Sequence, residues 1–270
     1  MMRHRFYTFD TLNTFACARR APVGEAHSPS LVLSRCQAPV LRVAATALLF
    51  VAGAANAYKE VDVAGGGSIQ GKVVFNGTVP MKTIIPTKDA EICGAKRKEP
   101  QILVTEDKSV RQAVVYLKGV KEGKAWGDAT AKPVLDQKAC RFEPKVQIMP
   151  RGDIDIVNSD PVLHNTHGYY GRRTAFNLAL PNEGQTITRQ LKKPGIVKVD
   201  CDAHGWMLAH IYVADNPYYA LSGEDGTFNI TDVPPGDYTL VVWQRLTGAT
   251  ETAVKVEAEQ AAEVVVELKK

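Results

Sequence analysis

Cysteine, histidine and methionine are scarce in this chain, at five, six and five of 270 residues. After residue 57 there remain Cys93, Cys140 and Cys201, the histidines His164, His167, His204 and His210, and no Met- or His-rich tract of the kind a metal store would display. The second cysteine of C-x-x-C-H is missing from Cys201-Asp-Ala-His204, which excludes covalent haem there. Net charge is missing too. Six basic and two acidic residues fall in positions 1–57, leaving 27 of each sign beyond them, so a nucleic-acid or polyanion partner has no electrostatic basis. The uncharged stretch Val43 to Ala55 is shorter than the roughly 20 residues a membrane span needs. No useful helical period is found after the signal segment.

What is present begins with that apolar stretch. Arg42 precedes it and Ala55-Asn56-Ala57 forms an A-x-A cleavage site, so residues 1–57 read as a bacterial-type secretory signal with a long or mis-started N-terminus, cut after Ala57. The mature chain is then expected in the periplasm or outside the cell, where disulfides persist. Three cysteines leave one over. Cys93 and Cys140 have no nearby histidine, which makes a disulfide between them the economical assignment and frees Cys201 for another task.

The remainder is a series of short β-rich runs, among them "SIQGKVVF", "AVVYLKG", "DIDIVNSD", "GIVKVDC", "AHIYVAD" and "YTLVVW", broken at intervals by Gly and Pro. The fold class expected is all-β, as two sandwiches. Strand alternation places Val197, Val199 and Cys201 on one inward face, puts Ile154, Ile156 and Asn158 inward, and turns His210 outward.

All four later histidines lie between 164 and 210, and "VDCDAHGWMLAHIYV" sets Cys201, His204 and Met207 three apart. A thiolate, two imidazoles and a weak thioether make the ligand set of a blue-copper electron-transfer site, since sulfur suits Cu(I) and imidazole suits both oxidation states. Zinc seldom takes a thioether, though a Cys/His/His set that includes His167 or His210 is the competing assignment. Each residue also has a bland reading: Cys201 as a disulfide partner, Met207 as core packing, and Trp206, Tyr169 and Tyr170 as a core cover rather than a docking patch.

At these residues the sequence resembles the cupredoxins, within them the plastocyanin and amicyanin group. "HNTH" and "CDAHGWM" match the two ligand loops, and "DIDIVNSDPVLHNTH" carries an Asn six residues ahead of the histidine. The resemblance implies a Greek-key β-sandwich over residues 110–214 that holds one type 1 copper. His164, Cys201 and His204 would be the strong ligands, Met207 the axial one, and Asn165 would tie the two loops together. It implies an electron carrier rather than an enzyme, exchanging electrons through the His204 edge with a periplasmic c-type cytochrome or dehydrogenase, soluble or membrane-bound.

Residues 215–270, with "GEDGTFNITDVPPGDYTLVVW", resemble the smaller transthyretin-like, carboxypeptidase regulatory-like β-sandwich, and residues 58–109 are a β segment available to complete it. The whole arrangement is similar to bacterial secreted chains labelled methylamine utilisation proteins, with Lys145 and "WQR" as departures from that pattern. The competing class is a copper- or zinc-binding structural or surface interaction module without a redox role.

Overall fold

The computed structural model describes residues 58–127 and 131–270; the signal segment expected at 1–57 lies outside the described residues. The described chain is all-β, with twenty strands and a single four-residue helix, Ala90–Cys93. No helix among the described residues is long and apolar enough to cross a membrane.

The strands enclose two large cores. Around the first, one sheet runs in the order Thr186–Leu191, Gly152–Asn158, Val134–Lys138, Arg141–Glu143. The other runs Arg173–Leu180, His164–Tyr170, Gly195–Cys201, Leu208–Ala214, Val146–Pro150. Period-two alternation decides what they bury: Val197, Val199 and Cys201 face in while Lys198 stays exposed, and Ile154, Ile156 and Asn158 face in from across the core. Each aliphatic side chain buried this way contributes about 1.5–3 kcal/mol. Gly168 permits a close approach within this sheet, since a Cβ there would fall 2.4 Å from the Phe176 ring.

The second core is closed by the sheet Tyr219–Leu221, Val114–Leu117, Gly236–Gln244, Gly248–Val256 and by the sheet Thr227–Val233, Gly67–Val74, Ala261–Glu267. Ile69 and Val73 from the N-terminal strand share it with Leu117, Phe228, Leu240, Val242 and Val266. Strand Gly67–Val74 therefore lies between two strands that follow it by more than 150 positions. Val114–Leu117 pairs in this second sandwich, with Tyr219–Leu221 and Gly236–Gln244.

Cys93 and Cys140 form a disulfide across 47 positions. It ties the short helix to the turn joining Val134–Lys138 to Arg141–Glu143, in which Ala139 and Cys140 both take positive φ. In the chain-entropy view, closing a loop of that length stabilises by about 4 kcal/mol.

Candidate metal centre

Three of the proposed ligands converge at one end of the first sandwich. Cys201 ends its strand pointing into the core, opposite Thr166 in the register, so its sulfur lies beside the start of the neighbouring strand, where His164 stands. The turn after Cys201 returns His204 to the same place, and the Met207 N–H closes that turn on the His204 carbonyl at 3.0 Å. Both imidazoles are fully buried, as is the Cys201 thiol to within 1%.

The three donor atoms form a triangle. His164 Nδ1 and His204 Nδ1 are 3.0 Å apart, and Cys201 Sγ is 3.7 Å from each. The point equidistant from three atoms so placed lies about 2.0 Å from each, close to the lengths of first-row metal–imidazole bonds (about 2.0–2.1 Å) and metal–thiolate bonds (about 2.3 Å).

The far side of each ring explains why Nδ1 faces inward. His164 Nε2 meets the Asp160 carboxylate at 2.9 Å, and His204 Nε2 meets Asp89 at 2.9 Å. A carboxylate only accepts, so each Nε2 carries the hydrogen, and a ring with that one hydrogen presents an Nδ1 lone pair to the other. Two lone pairs at 3.0 Å repel unless a cation lies between them. Burial pushes the His164 imidazole down from its ordinary value, partly opposed by the Asp160 hydrogen bond, so that ring resists taking up a proton to relieve the repulsion. The residues present therefore fit a metal ion, with carboxylates fixing the tautomer of both imidazoles.

The thiol fits as well. Burial pushes Cys201 up, and main-chain N–H groups of Asn165, His204 and Ala203 pull it back down, Asn165 N–H at 3.4 Å from the sulfur. A thiol raised by burial becomes a thiolate when a metal takes the proton's place. Among the described residues Cys201 is the free cysteine. Two other donor groupings, Cys93–Cys140–His204 and Cys140–Asp160–His164, include sulfurs already joined in the disulfide and so offer no thiolate.

The remaining candidates are placed differently. Met207 is buried in the same core as Cys201. Asn165 bridges the two loops through its main chain, donating N–H to Cys201 Sγ and accepting from Asp202 N–H at 3.0 Å, while its side-chain carbonyl oxygen is buried without a partner. His167 faces away from the metal position, bonded to Asp202, Thr174 and Tyr169 and stacked on the Tyr169 ring. His210, expected outward, does point away from this core but is only 7% exposed, packed on Trp243 with ring centroids 5.0 Å apart. Strand alternation gives the face; it does not show that a second layer covers it. The His204 edge, expected as the electron exit, is likewise covered: Asp89 bonds its Nε2, and Trp206 lies 5.1 Å from its ring centre.

Asp160 and Asp89 are the site residues that sequence reasoning missed. Asp160 carried a faint signal, four residues before His164; its carboxylate also accepts the N–H groups of Ala139 and Cys140, and Asn158 accepts its N–H and holds the loop through the Val162 and Leu180 carbonyls. Asp89 carried none, being 115 positions from His204. It directly precedes the helix that the disulfide ties down, so the Cys93–Cys140 bond holds the carboxylate over the imidazole.

Residues 195–264 match the family described as polysaccharide lyase family 4, domain II, about a quarter of the chain. No curated protein matches. Among solved structures, similarity is found to a copper-containing nitrite reductase from Thermus scotoductus SA-01, at 21% identity over 31% of this chain and 22% of that one, TM-score 0.28. A purple cupredoxin from Nitrosopumilus maritimus is similar at 21% identity over 31% of this chain and 100% of that one, TM-score 0.28. A reduced amicyanin mutant is similar at 18% identity over 33% and 87%, TM-score 0.29. The chain thus spans about a fifth of the nitrite reductase, and the likenesses are confined to about a third of its own length.

Proposed function

We propose that this chain is a secreted or periplasmic type 1 copper protein, in a cupredoxin-like sandwich, that passes single electrons between redox partners without acting on a substrate. The observation that carries the reading is the buried triangle of two Nδ1 atoms and one Sγ, with both Nε2 atoms held by carboxylates. His164, Cys201 and His204 would be the strong ligands and the Met207 thioether a weaker one. Copper bound there would supply a one-electron couple between Cu(I) and Cu(II). The chain's own part is to hold three donors rigidly in a dry core, so that little rearranges when the charge changes. Asp160 and Asp89 keep both imidazoles in one tautomer, and the Asn165 N–H stabilises the thiolate. The disulfide accords with an oxidising compartment, where a c-type cytochrome or a dehydrogenase is the kind of partner available.

One observation favours a second reading. The His204 ring is wholly buried, and closed sites are typical of structural metals, including zinc. Metal analysis with a potentiometric titration separates the two. One copper per chain and a reversible one-electron couple support electron transfer; bound zinc, or copper without a reversible couple, supports the structural reading.

A further inference from the structure

A second feature adjoins the metal centre and shares Met207 with it. A cavity of about 310 Å³ opens between the Met81–Ile84 and Arg97–Pro100 hairpin, the Arg141–Glu143 strand and the end of the Gly236–Gln244 strand with Arg245 beyond it, at the lower end of the size range of small-molecule sites. Its wall carries the cations Lys82, Arg97, Arg111, Arg141, Lys145 and Arg245 against two carboxylates, Glu99 and Glu143. Glu99 alone serves Arg97 at 2.7 Å, Lys145 at 2.9 Å and Arg141 at 3.8 Å. Arg245 has no carboxylate partner among the described residues; its Nε donates to the Gln101 carbonyl at 3.2 Å. Arg111 pairs with Glu224 at one end, yet its Nε is buried without a partner. Cations left this way are costly unless an anion joins them.

Apolar side chains share the wall with Gln101, Gln112 and Gln244. Trp243 packs on His210, and Trp206, Met207 and Leu208 line the same space. Burial, with Arg245 and Lys198 nearby, holds the His210 imidazole down to about 4, so it is a neutral ring that adds no charge to the wall. Burial likewise pushes the Arg245 guanidinium below its usual range, and Glu99 only partly opposes this.

We propose that this cavity binds a small organic carboxylate, its anionic head among Arg245, Lys145 and Arg141 and its apolar body between Trp206 and Trp243. Arg suits the head because its planar fork matches a carboxylate, and the indoles suit the body because flat apolar surface is what they offer. The inference rests on the cavity and not on the copper reading.

Calorimetric titration of the full chain, copper-loaded and metal-free, with benzoate, hexanoate and inorganic phosphate as probes tests it. Saturable one-to-one binding of benzoate or hexanoate is expected in both forms, about tenfold or more tighter than phosphate, and weakened about tenfold or more by Arg245→Gln. Lys118→Gln, at an exposed lysine outside the cavity paired with Glu251, should leave it unchanged. If Arg245→Gln does not fold, the half-exposed Lys145→Gln carries the same expectation. No saturable heat up to about 10 mM of either organic probe, or unchanged binding in the folded variant, overturns the site. Phosphate binding as tightly as the organic anions overturns the carboxylate assignment.

Discussion

Both sandwiches bury polar side chains that complete main-chain pairing, and the first also aims some of them at one another. In the second, Ser222 bonds the Val110 carbonyl and the Ala113 N–H, and Asn216 bonds the Leu117 carbonyl and the Tyr218 N–H. Those side chains mend gaps in main-chain pairing. In the first, Asp160 and His164 meet each other, and the rings of His164 and His204 meet Cys201. Side chains aimed at one another in a core, with lone pairs opposed, are not explained by folding alone. The difference marks one core as scaffold and the end of the other as a site, and each prediction below would blur or sharpen that line.

The largest effects are on stability, and they differ in whether they reach the metal centre. Leu117→Ala, in the second core, should cost about 2–5 kcal/mol in chemical denaturation without changing metal stoichiometry. Loss of metal from that folded variant would show that the two cores are not separate in this sense. Replacing both Cys93 and Cys140 by Ala should cost a similar amount, about 2–5 kcal/mol, and should also weaken metal binding, because Asp89 loses its tether. Equal metal affinity with and without the bridge would remove the disulfide from the site.

A pH-dependent effect comes next. Folded His210 is held down to about 4 by burial, Arg245 and Lys198, against 6.5 in the unfolded chain. Between those values the unfolded chain binds the extra proton, so stability present above pH 6.5 declines as the pH falls through 4, by on the order of 3 kcal/mol. His210→Gln should flatten that part of the stability profile; an unchanged slope would assign it to other groups.

The smallest effects separate the two kinds of buried polar group. Asp160→Ala should weaken metal binding by about 10–100-fold in competition with a chelator, since the second partner of a ligand imidazole is lost. Ser222→Ala should cost about 1–3 kcal/mol of stability and leave metal affinity unchanged. If both variants behaved alike, the contrast between the cores would have no functional meaning.

Much of the site was legible because its donors sit in two short stretches. The Cys201–His204–Met207 spacing is local, and alternation in "GIVKVDC" already pointed the thiol inward. What was illegible depends on long-range placement. Nothing in "TKDAEIC" says that Asp89 will meet a histidine 115 positions away. Nothing local in "AVVYL" says that Val114–Leu117 joins the sheet of Gly236–Gln244, because a strand's pattern shows its buried face and not its neighbour. His210 shows the same limit: its face was readable, but the Trp243 ring that covers it comes from the other sandwich.

The central claim is that Cys201, His164 and His204 hold one copper ion through a short thiolate bond. The most direct test is the visible absorption spectrum of the purified, copper-loaded chain beside that of Cys201→Ser. The claim predicts an intense thiolate-to-Cu(II) charge-transfer band in the native chain, absent from the serine variant even when that variant is folded and exposed to the same copper. A colourless native protein at full copper occupancy, or a band that survives Cys201→Ser, would contradict it.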